Sequence, residues 1–301
     1  MSFIKNLSNR KNVMNIIGDK CGYIDVDNEF KKMIQSNLLE MLLDIDKVCT
    51  ENGIEYFLNG GSCLGAIRHK GFIPWDDDVD LFMTRREYNR FKEIFDASMG
   101  DKYILNAPNY SKESITRFPK VLKKDSLYVT SDTLNLDLCK LYIDIFILDN
   151  VPDNKLVRYI KGIICNLLEF ISGQVLFIKN SSCEERKIYK EYDAFSYYIC
   201  FLIGKTFSFI SVSTYNNLID KVIQYKNSDT KCYGAPTDCK HYFGEIYPRD
   251  FFATSVRVLF EENMLPVPID YEGYLKQTYG DYMKIPDETD REHHYVKKIK
   301  L

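Results

Sequence analysis

An acidic run between apolar segments constrains this chain more than any other feature of its sequence. Residues 76–80 read Asp-Asp-Asp-Val-Asp and stand between Phe-Ile-Pro-Trp at 72–75 and Leu-Phe-Met at 81–83. Carboxylates beside apolar chain are costly to bury unless a cation or hydrogen-bond donors compensate them. An acidic loop in water is the alternative, but the apolar flanks favour a cation site.

Asp78 and Asp80 form the centre of that site. The sequence predicts a strand over 79–83, and side chains two residues apart on a strand share one face. Two carboxylates on one face repel each other unless a cation lies between them. Hard oxygen ligands of this kind suit Mg²⁺ or Mn²⁺.

Asp144 is the predicted third carboxylate of the site. It is the one acid in the apolar strand predicted over 141–148. A buried carboxylate requires a cation, a set of hydrogen bonds or a raised pKa. A structural salt bridge is the alternative to metal binding. The metal ligands and catalytic residues expected from the sequence are therefore Asp78, Asp80 and Asp144.

A glycine turn precedes the acidic run. Gly60, Gly61 and Ser62 stand between a predicted strand, 54–58, and a short predicted helix. Glycines at such a place let the backbone approach a phosphate, and a helix N-terminus favours an anion. The nearby side chains of Arg68, His69 and Lys70 suit phosphate contacts, with ordinary surface charge as the alternative.

Composition excludes some classes of protein. The 301 residues include 40 basic and 43 acidic ones, a net charge of −3, so we expect no nucleic-acid partner. The nine cysteines form no C-x-x-C pair, which favours reduced thiols. The first residues carry no apolar stretch of signal-peptide length, so we expect a cytoplasmic location.

Apolar periodicity sets the expected organisation of the chain. We expect a lead-in over 1–28, a catalytic core over 29–153, a helical segment over 154–230 and a C-terminal segment, 231–301, that completes the catalytic domain. The core should begin with a helix, and a capping box, Thr84 to Glu87, should open another. The most apolar window, 194–212, is interrupted by polar residues, so a buried helical layer is favoured over a membrane span, with an interfacial helix between the two.

The block from Gly60 to Asp80 resembles the signature of the LicD family, which lies in the nucleotidyltransferase superfamily. The Asp144 strand and a C-terminal pattern are also similar to that family, and the likeness runs from about residue 30 to 295. The matching C-terminal residues are Pro266-Val267-Pro268, Tyr274-Leu275, Tyr279 to Met283, Pro286, Arg291 and His293. The resemblance implies an α+β fold, a nucleotidyltransferase-like mixed sheet with flanking helices and a helical insertion.

The resemblance also implies an activity. The expected enzyme moves an alcohol phosphate from a CDP-alcohol to a hydroxyl of a cell-surface glycan or lipid-linked glycan and releases CMP. CDP-choline is the favoured donor. Ser62, Gly60 and Gly61 would hold its phosphate with Arg68, His69 or Lys70, and Asp144 would serve as base. Trp75 is a candidate for the quaternary ammonium or a packing residue, and Arg291 and His293 are candidates for substrate contact or part of a charged tail.

Other functions remain compatible with the same residues. Nucleotidyl transfer from a nucleoside triphosphate would use the same three acids and release pyrophosphate instead of CMP. A non-catalytic partner in polysaccharide assembly would not need acids able to bind a metal. A peripheral contact with the inner face of the membrane, through the helices of 154–228, is expected because such acceptors are often lipid-linked.

Overall fold

A computed structural model describes residues 28–114, 116–130, 139–287, 291 and 296–300. Almost all of the predicted lead-in, and His293, lie outside these residues. The helices are α1 (Asn28–Glu51), α2 (Gly60–Arg68), α3 (Arg85–Met99), α4 (Lys155–Asn180), α5 (Cys183–Tyr192), α6 (Ala194–Phe207), α7 (Val212–Ile223), α8 (His241–Gly244) and α9 (Tyr271–Tyr279). The strands are β1 (Phe57–Leu58), β2 (Asp80–Thr84), β3 (Tyr103–Asn106), β4 (Lys120–Lys123), β5 (Leu127–Thr130), β6 (Tyr142–Val151), β7 (Cys232–Gly234), β8 (Ile246–Pro248), β9 (Ser255–Phe260), β10 (Asn263–Pro268) and β11 (Val296–Lys300).

A mixed sheet organises the chain. Its strand order is β1-β2-β6-β4-β3, and β7 and β8 extend it from the far end of β6. The pair β2–β6 is parallel, whereas β1–β2, β4–β6 and β3–β4 are antiparallel. The predicted mixed sheet with flanking helices is therefore confirmed, and its nucleotidyltransferase-like character stays a prediction.

The main hydrophobic core joins α1 and α3 to the sheet. On α1, Ile34, Leu38 and Ile45 are fully buried, at the helical spacing that predicted this element. On α3, Phe91 and Phe95 are fully buried and contact each other edge to face. Burying a side chain of this size contributes about 1.5–3 kcal/mol, so this core holds the strands that carry the acids.

The start of α3 differs in part from the predicted capping box. Thr84 is the N-cap, and its hydroxyl accepts a hydrogen bond from the Glu87 N–H. The Glu87 carboxylate does not close the box but accepts from the Glu55 N–H and from Arg90. Glu87 therefore joins α3 to the segment before β1.

The predicted end of the Asp144 strand is wrong. Residues 149–151 were expected to terminate the strand, but they continue β6 and pair with β7. Asp149 is stabilised there by Arg85, which donates two hydrogen bonds to its carboxylate and a third to Asp220 on α7. This buried ion triad compensates an acid that lies just beyond the strand predicted over 141–148.

Helices α4 to α7 lie between β6 and β7 in the chain. Within the described residues, α4 is long and apolar enough to cross a membrane, and α6 with α7 meets the same criterion as a pair bent by 90°. The predicted buried layer over 194–212 is wrong in part, because Tyr198 and Leu202 of α6 are 54 % and 66 % exposed. The sequence showed the apolar character of this segment but not which side of each helix packs on the domain.

Candidate active site

Three strands bring a carboxylate pair and a lysine into one row. Asp80 opens β2 and is the register partner of Asp144 on the parallel strand β6. Asp144 is in turn the register partner of Lys120 on the antiparallel strand β4. Register partners on neighbouring strands lie about 5 Å apart and point to the same face. The structure therefore brings two of the three predicted catalytic acids together.

Other carboxylates surround Asp80. Burial raises the pKa of Asp80 well above its ordinary value, and the charges of Asp78, Asp144, Asp238 and Asp76 raise it further, in that order. All three predicted acids thus belong to one negative cluster, together with Asp76 and Asp238. Such a concentration of charge is stabilised by a cation.

Asp77 faces another part of the molecule. It is buried, and its carboxylate accepts a hydrogen bond of 3.0 Å from the Tyr128 hydroxyl on β5. Burial and the charge of Asp77 raise the pKa of Tyr128 above its ordinary value. Asp77 therefore fastens the acidic run to β5.

Lys120 is a functional candidate that the sequence analysis did not single out. Its Nζ lies 2.5 Å from Asp144 Oδ1 and 3.4 Å from the centroid of the Tyr142 ring. The Lys120 side chain is only 9 % exposed. The salt bridge named as the alternative for Asp144 is thus present. The signal in the sequence was a lysine next to the apolar pair Val121-Leu122, which is too common a pattern to identify a site.

The donor chemistry of the cluster suits a hard divalent cation. Carboxylate oxygens are the ligands that Mg²⁺ and Mn²⁺ prefer. In the described part of the chain, no three His, Cys, Asp or Glu side chains are arranged closely enough to hold a metal ion. Metal binding by Asp78, Asp80 and Asp144 therefore stays a prediction, supported by the clustering of their charges.

The backbone of the glycine turn lies directly against this cluster. Gly60 has φ +51°, and a Cβ placed on it would lie 3.5 Å from Asp80 Oδ2 and from the Tyr279 hydroxyl. A Cβ on Gly61 would lie 2.6 Å from Asp76 Oδ2. Gly60 is therefore required for its backbone conformation, and Gly61 is required because no space is left for a Cβ. A phosphate held by this turn would lie beside the carboxylates.

Ser62 positions Asp80. Its Oγ accepts a hydrogen bond of 3.0 Å from the Asp80 N–H, and the serine is buried. This contact fixes the start of β2 to the first turn of α2. The predicted contact between Ser62 and a donor phosphate stays a prediction.

Asn59 connects the turn to two distant segments, and the sequence analysis missed it. Its backbone N–H donates to the Asp80 carbonyl at 2.8 Å, and its Nδ2 donates to Asp238 Oδ2 at 3.3 Å. Its Oδ1 accepts from the Tyr274 hydroxyl, which itself accepts from the Gly60 N–H. Asn59 is 1 % exposed. It therefore holds Asp80, the glycine turn and α9 in one hydrogen-bonded network.

The segments on either side of α8 supply a second pair of acids, Asp238 before it and Glu245 after it. Asp238 is buried and accepts from the Cys239 N–H at 2.6 Å. Burial, followed by the charge of Asp238, raises the pKa of Glu245 to about 7. The Tyr247 hydroxyl donates a hydrogen bond to Glu245. Neither acid stood in a recognisable motif, so only tertiary structure reveals their proximity to the site.

The predicted cations at the C-terminal end of α2 have separate contacts. Arg68 donates to the carbonyls of Tyr282 at 2.9 Å and Lys284 at 3.2 Å, which ties α2 to the segment after α9. Burial and the neighbouring Arg68 lower the pKa of His69. Lys70 is exposed, and its ammonium donates to the Ile67 carbonyl. The phosphate contacts expected of these three residues stay predictions.

Trp75 and Arg291 are brought together by the fold. The guanidinium carbon of Arg291 lies 4.2 Å from the centroid of the Trp75 ring, and the His69 ring meets Trp75 edge-on at 6.1 Å. The Trp75 ring thus already takes part in a cation–π contact. Trp75 also packs against the main core, as expected of a packing residue. Its contact with a quaternary ammonium stays a prediction.

Comparison with known proteins confirms the family resemblance. Residues 53–155 match the LicD family model, described as the LicD/FKTN/FKRP nucleotidyltransferase domain. The chain is 28 % identical over 254 residues to the lipopolysaccharide cholinephosphotransferase LicD of Haemophilus influenzae, which covers 83 % of this chain and 90 % of that protein. It is 32 % identical over 85 residues to the human ribitol 5-phosphate transferase FKRP, which covers 28 % of this chain and 17 % of that protein. The matched region contains the glycine turn and all three predicted acids.

Proposed function

Since residues 53–155 make up a LicD-family domain, we propose that this protein transfers an alcohol phosphate, phosphocholine or a similar group, from a CDP-alcohol to a hydroxyl of a cell-surface glycan precursor and releases CMP. The observation that carries the proposal is the register pairing of Asp80 with Asp144 beside the Gly60 turn. This pairing, with the glycine backbone close beside it, supports a donor phosphate bound next to the carboxylates. The related LicD and FKRP proteins are named as phosphotransferases, which supports the same class of reaction.

The proposed donor carries a pyrophosphate that must be neutralised. Mg²⁺ or Mn²⁺ held by Asp78, Asp80 and Asp144 would supply that charge and polarise the phosphorus–oxygen bond. The carboxylate cluster fits such an ion in its chemistry. Binding of the ion should therefore depend on each of the three acids.

The remaining roles fall to groups of the chain itself. Asp144 takes the proton of the acceptor hydroxyl as that oxygen attacks phosphorus, and the oxygen of CMP leaves. Lys120, beside Asp144, contacts the transferred phosphoryl group as a fixed cation. The backbone at Gly60 and Gly61 holds a donor phosphate, with Arg68, His69 and Lys70 lining the approach. Phosphoryl transfer rests mainly on such positioning and charge.

Choline is the favoured alcohol because of Trp75. A quaternary ammonium binds to aromatic faces, and Arg291 shows that the Trp75 ring accepts a cation at 4.2 Å. A bound choline would replace the Arg291 guanidinium on that ring. Arg291 would then be released toward a phosphate. Ethanolamine, glycerol and ribitol phosphates lack this requirement for an aromatic face.

The test is the release of CMP from CDP-choline, CDP-ethanolamine, CDP-glycerol and CDP-ribitol with Mg²⁺ or Mn²⁺, with and without a crude glycan acceptor. We expect one donor to dominate and Asp78→Asn to abolish release. Asp125→Asn, which changes an exposed aspartate, is the matched control and should retain activity.

Two other outcomes would contradict the proposal. Pyrophosphate released from a nucleoside triphosphate, with no CMP from any donor, would show nucleotidyl transfer. That alternative is kept because the matched family domain is described as a nucleotidyltransferase. Absence of both products in the presence of acceptor would favour a non-catalytic role in polysaccharide assembly.

A further inference from the structure

The outer face of α4 is made of large apolar side chains. They recur every three or four residues along three turns, so they form one stripe on the helix. Their exposed fractions are 66 % for Leu156, 59 % for Tyr159, 50 % for Ile160, 45 % for Ile163 and 54 % for Leu167. A contiguous apolar surface of this kind marks an interaction site.

The inner face of α4 is the more polar one. The residues that it buries against the domain include Gly162, Cys165, Glu169 and Ser172. A helix on the surface of a water-soluble domain has the opposite arrangement, with its apolar stripe inward. The amphipathic pattern of α4 is therefore inverted, and its outer surface suits an apolar environment.

Helix α6 repeats the inversion. It buries Ser196, Tyr197, Cys200 and Gly204, of which only Tyr197 is large, while Phe195 is 64 % exposed and Leu202 is 66 % exposed. Gly204 lies so close to α4 that a Cβ on it would be 2.4 Å from the Gln174 carbonyl oxygen. The two inverted helices are thus in direct contact, and each exposes its apolar side.

The charges of the two helices point to the chemistry of the occupant. Their basic residues are Lys155, Arg158, Lys161, Lys179 and Lys205. Their one acid, Glu169, is buried, and its carboxylate lies 2.8 Å from His241 Nδ1 and 3.4 Å from Arg117. This excess of positive charge occurs in a chain of net charge −3. A helix pair with net positive charge, whose exposed apolar faces include Tyr159 and Tyr198, is complementary to the surface of an anionic bilayer.

We propose that the outer faces of α4 and α6 dock on an anionic lipid bilayer, with the two helices lying in its interface. The helices do not cross the bilayer, because Glu169 and its partners fasten the polar side of α4 to the domain. Phe243 of α8 extends the apolar face, since its ring contacts Tyr159 at 6.1 Å and it is 44 % exposed. Because α8 directly follows the segment of Asp238, docking would place the acidic cluster near the membrane surface.

That placement would present the site to a lipid-linked acceptor, a consequence that rests on the proposed function. The docking of α4 and α6 on a bilayer does not rest on the proposed function. Experiments can therefore refute the docking surface and the proposed function independently of each other. Vesicle binding without CMP release would leave the docking surface intact, and CMP release without vesicle binding would leave the proposed function intact.

The experiment is flotation of the full chain with vesicles of phosphatidylcholine alone and with vesicles of equal parts phosphatidylcholine and phosphatidylglycerol. We expect stronger binding to the anionic vesicles and weaker binding as salt is added. Ile160→Ser with Ile163→Ser should weaken partitioning by about tenfold, because two side chains no longer insert.

The matched control changes two isoleucines of the same exposure elsewhere, Ile269→Ser with Ile285→Ser, which are 45 % and 52 % exposed. Its partitioning should stay within about twofold of wild type. The proposal is overturned if the wild-type chain binds neither vesicle type, or if the two double variants lose binding equally. It is also overturned if Ile160→Ser with Ile163→Ser floats like wild type but dissociates a dimer in light scattering, because the face would then cover a second copy.

Discussion

The Lys120 ammonium contacts Asp144, its register partner on the neighbouring antiparallel strand, at 2.5 Å. The contact places a buried cation next to Asp144, which is also the register partner of Asp80 on the parallel strand β2. Asp144 therefore has a carboxylate on one side and an ammonium on the other. Strands β6 and β4 thus place a carboxylate oxygen and a positive charge side by side.

Replacing Lys120 with methionine should slow CMP release by about a hundredfold, because a fixed cation at a developing negative charge contributes on this scale. The measurement is kcat with the preferred CDP-alcohol, on protein whose circular dichroism matches wild type. Lys123→Met removes another lysine of the same strand, whose Nζ bonds Asn37 and Glu40 at 2.7 and 2.8 Å. This control should keep kcat, and equal losses in both variants would refute a specific role for Lys120.

Gly60→Ala should separate conformational strain from function. Gly60 and Gly53 both have positive φ, +51° and +59°, but a Cβ on Gly53 would meet nothing within 4 Å. Each alanine should lower the free energy of unfolding by about 1 kcal/mol, because the left-handed conformation disfavours a Cβ. Urea titration measures that loss.

CMP release then distinguishes the two glycine variants. We expect Gly60→Ala to lose most activity and Gly53→Ala to keep it, since only Gly60 lies against Asp80 and Tyr279. Equal retention of activity would show that the turn does not approach the substrate.

Tyr274→Phe should weaken the network centred on Asn59. The substitution removes the donor to Asn59 and the acceptor of the Gly60 N–H, so two buried polar groups lose a partner. We expect the free energy of unfolding to fall by about 2 kcal/mol and activity to fall with it. Tyr110→Phe, whose hydroxyl bonds the exposed Asp96, should cost less than about 0.5 kcal/mol. Similar losses in both variants would contradict the assigned role of Asn59.

Glu245 should make stability fall with rising pH. Burial and the charge of Asp238 raise its pKa from 4.5 in the unfolded chain to about 7 in the folded protein. The contribution of Glu245 to the free energy of unfolding is fully present below about pH 4.5. It is lost as the pH rises to about 7, because only the unfolded chain releases the proton in that range of pH. The loss is about 3 kcal/mol.

Glu245→Gln tests this dependence. The neutral amide can still accept from Tyr247 and carries no charge, so the variant should gain stability relative to wild type between about pH 4.5 and 7 and hold that gain above it. Denaturant titrations across this range measure the difference. The exposed Glu262→Gln is the control, and a constant difference between Glu245→Gln and wild type would contradict the shift.

Local patterns predicted the parts of the site that depend on near neighbours in sequence. The helical spacing of Ile34 and Leu38 and the strand that begins at Asp80 are present in the structure, and the glycines predicted to precede a short helix form the first turn of that helix, α2. The Asp144 strand was predicted from its apolar run, although it continues past the expected end because β7 pairs with it. These features rest on periodicity and turn chemistry, which a single sequence displays.

The missed residues act through contacts between distant segments. Asn59, Lys120 and Asp238 reach the site only because the end of β1, β4 and the segment before α8 meet around β2 and β6. Each has an unremarkable local sequence, so no periodicity distinguishes it. The inversion of α4 was hidden for the same reason, since an apolar helix does not indicate which of its sides the domain covers.

The pairing of Val151 with Cys232 fixes where the helices α4 to α7 leave the sheet and where they return. The two ends of this insert lie one strand spacing apart, so its length and composition can change while β6 and β7 remain paired. The outer residues of α4 and α6 can therefore vary while Asp144, earlier on the same strand, keeps its place, provided that α7 keeps Asp220 beside Arg85.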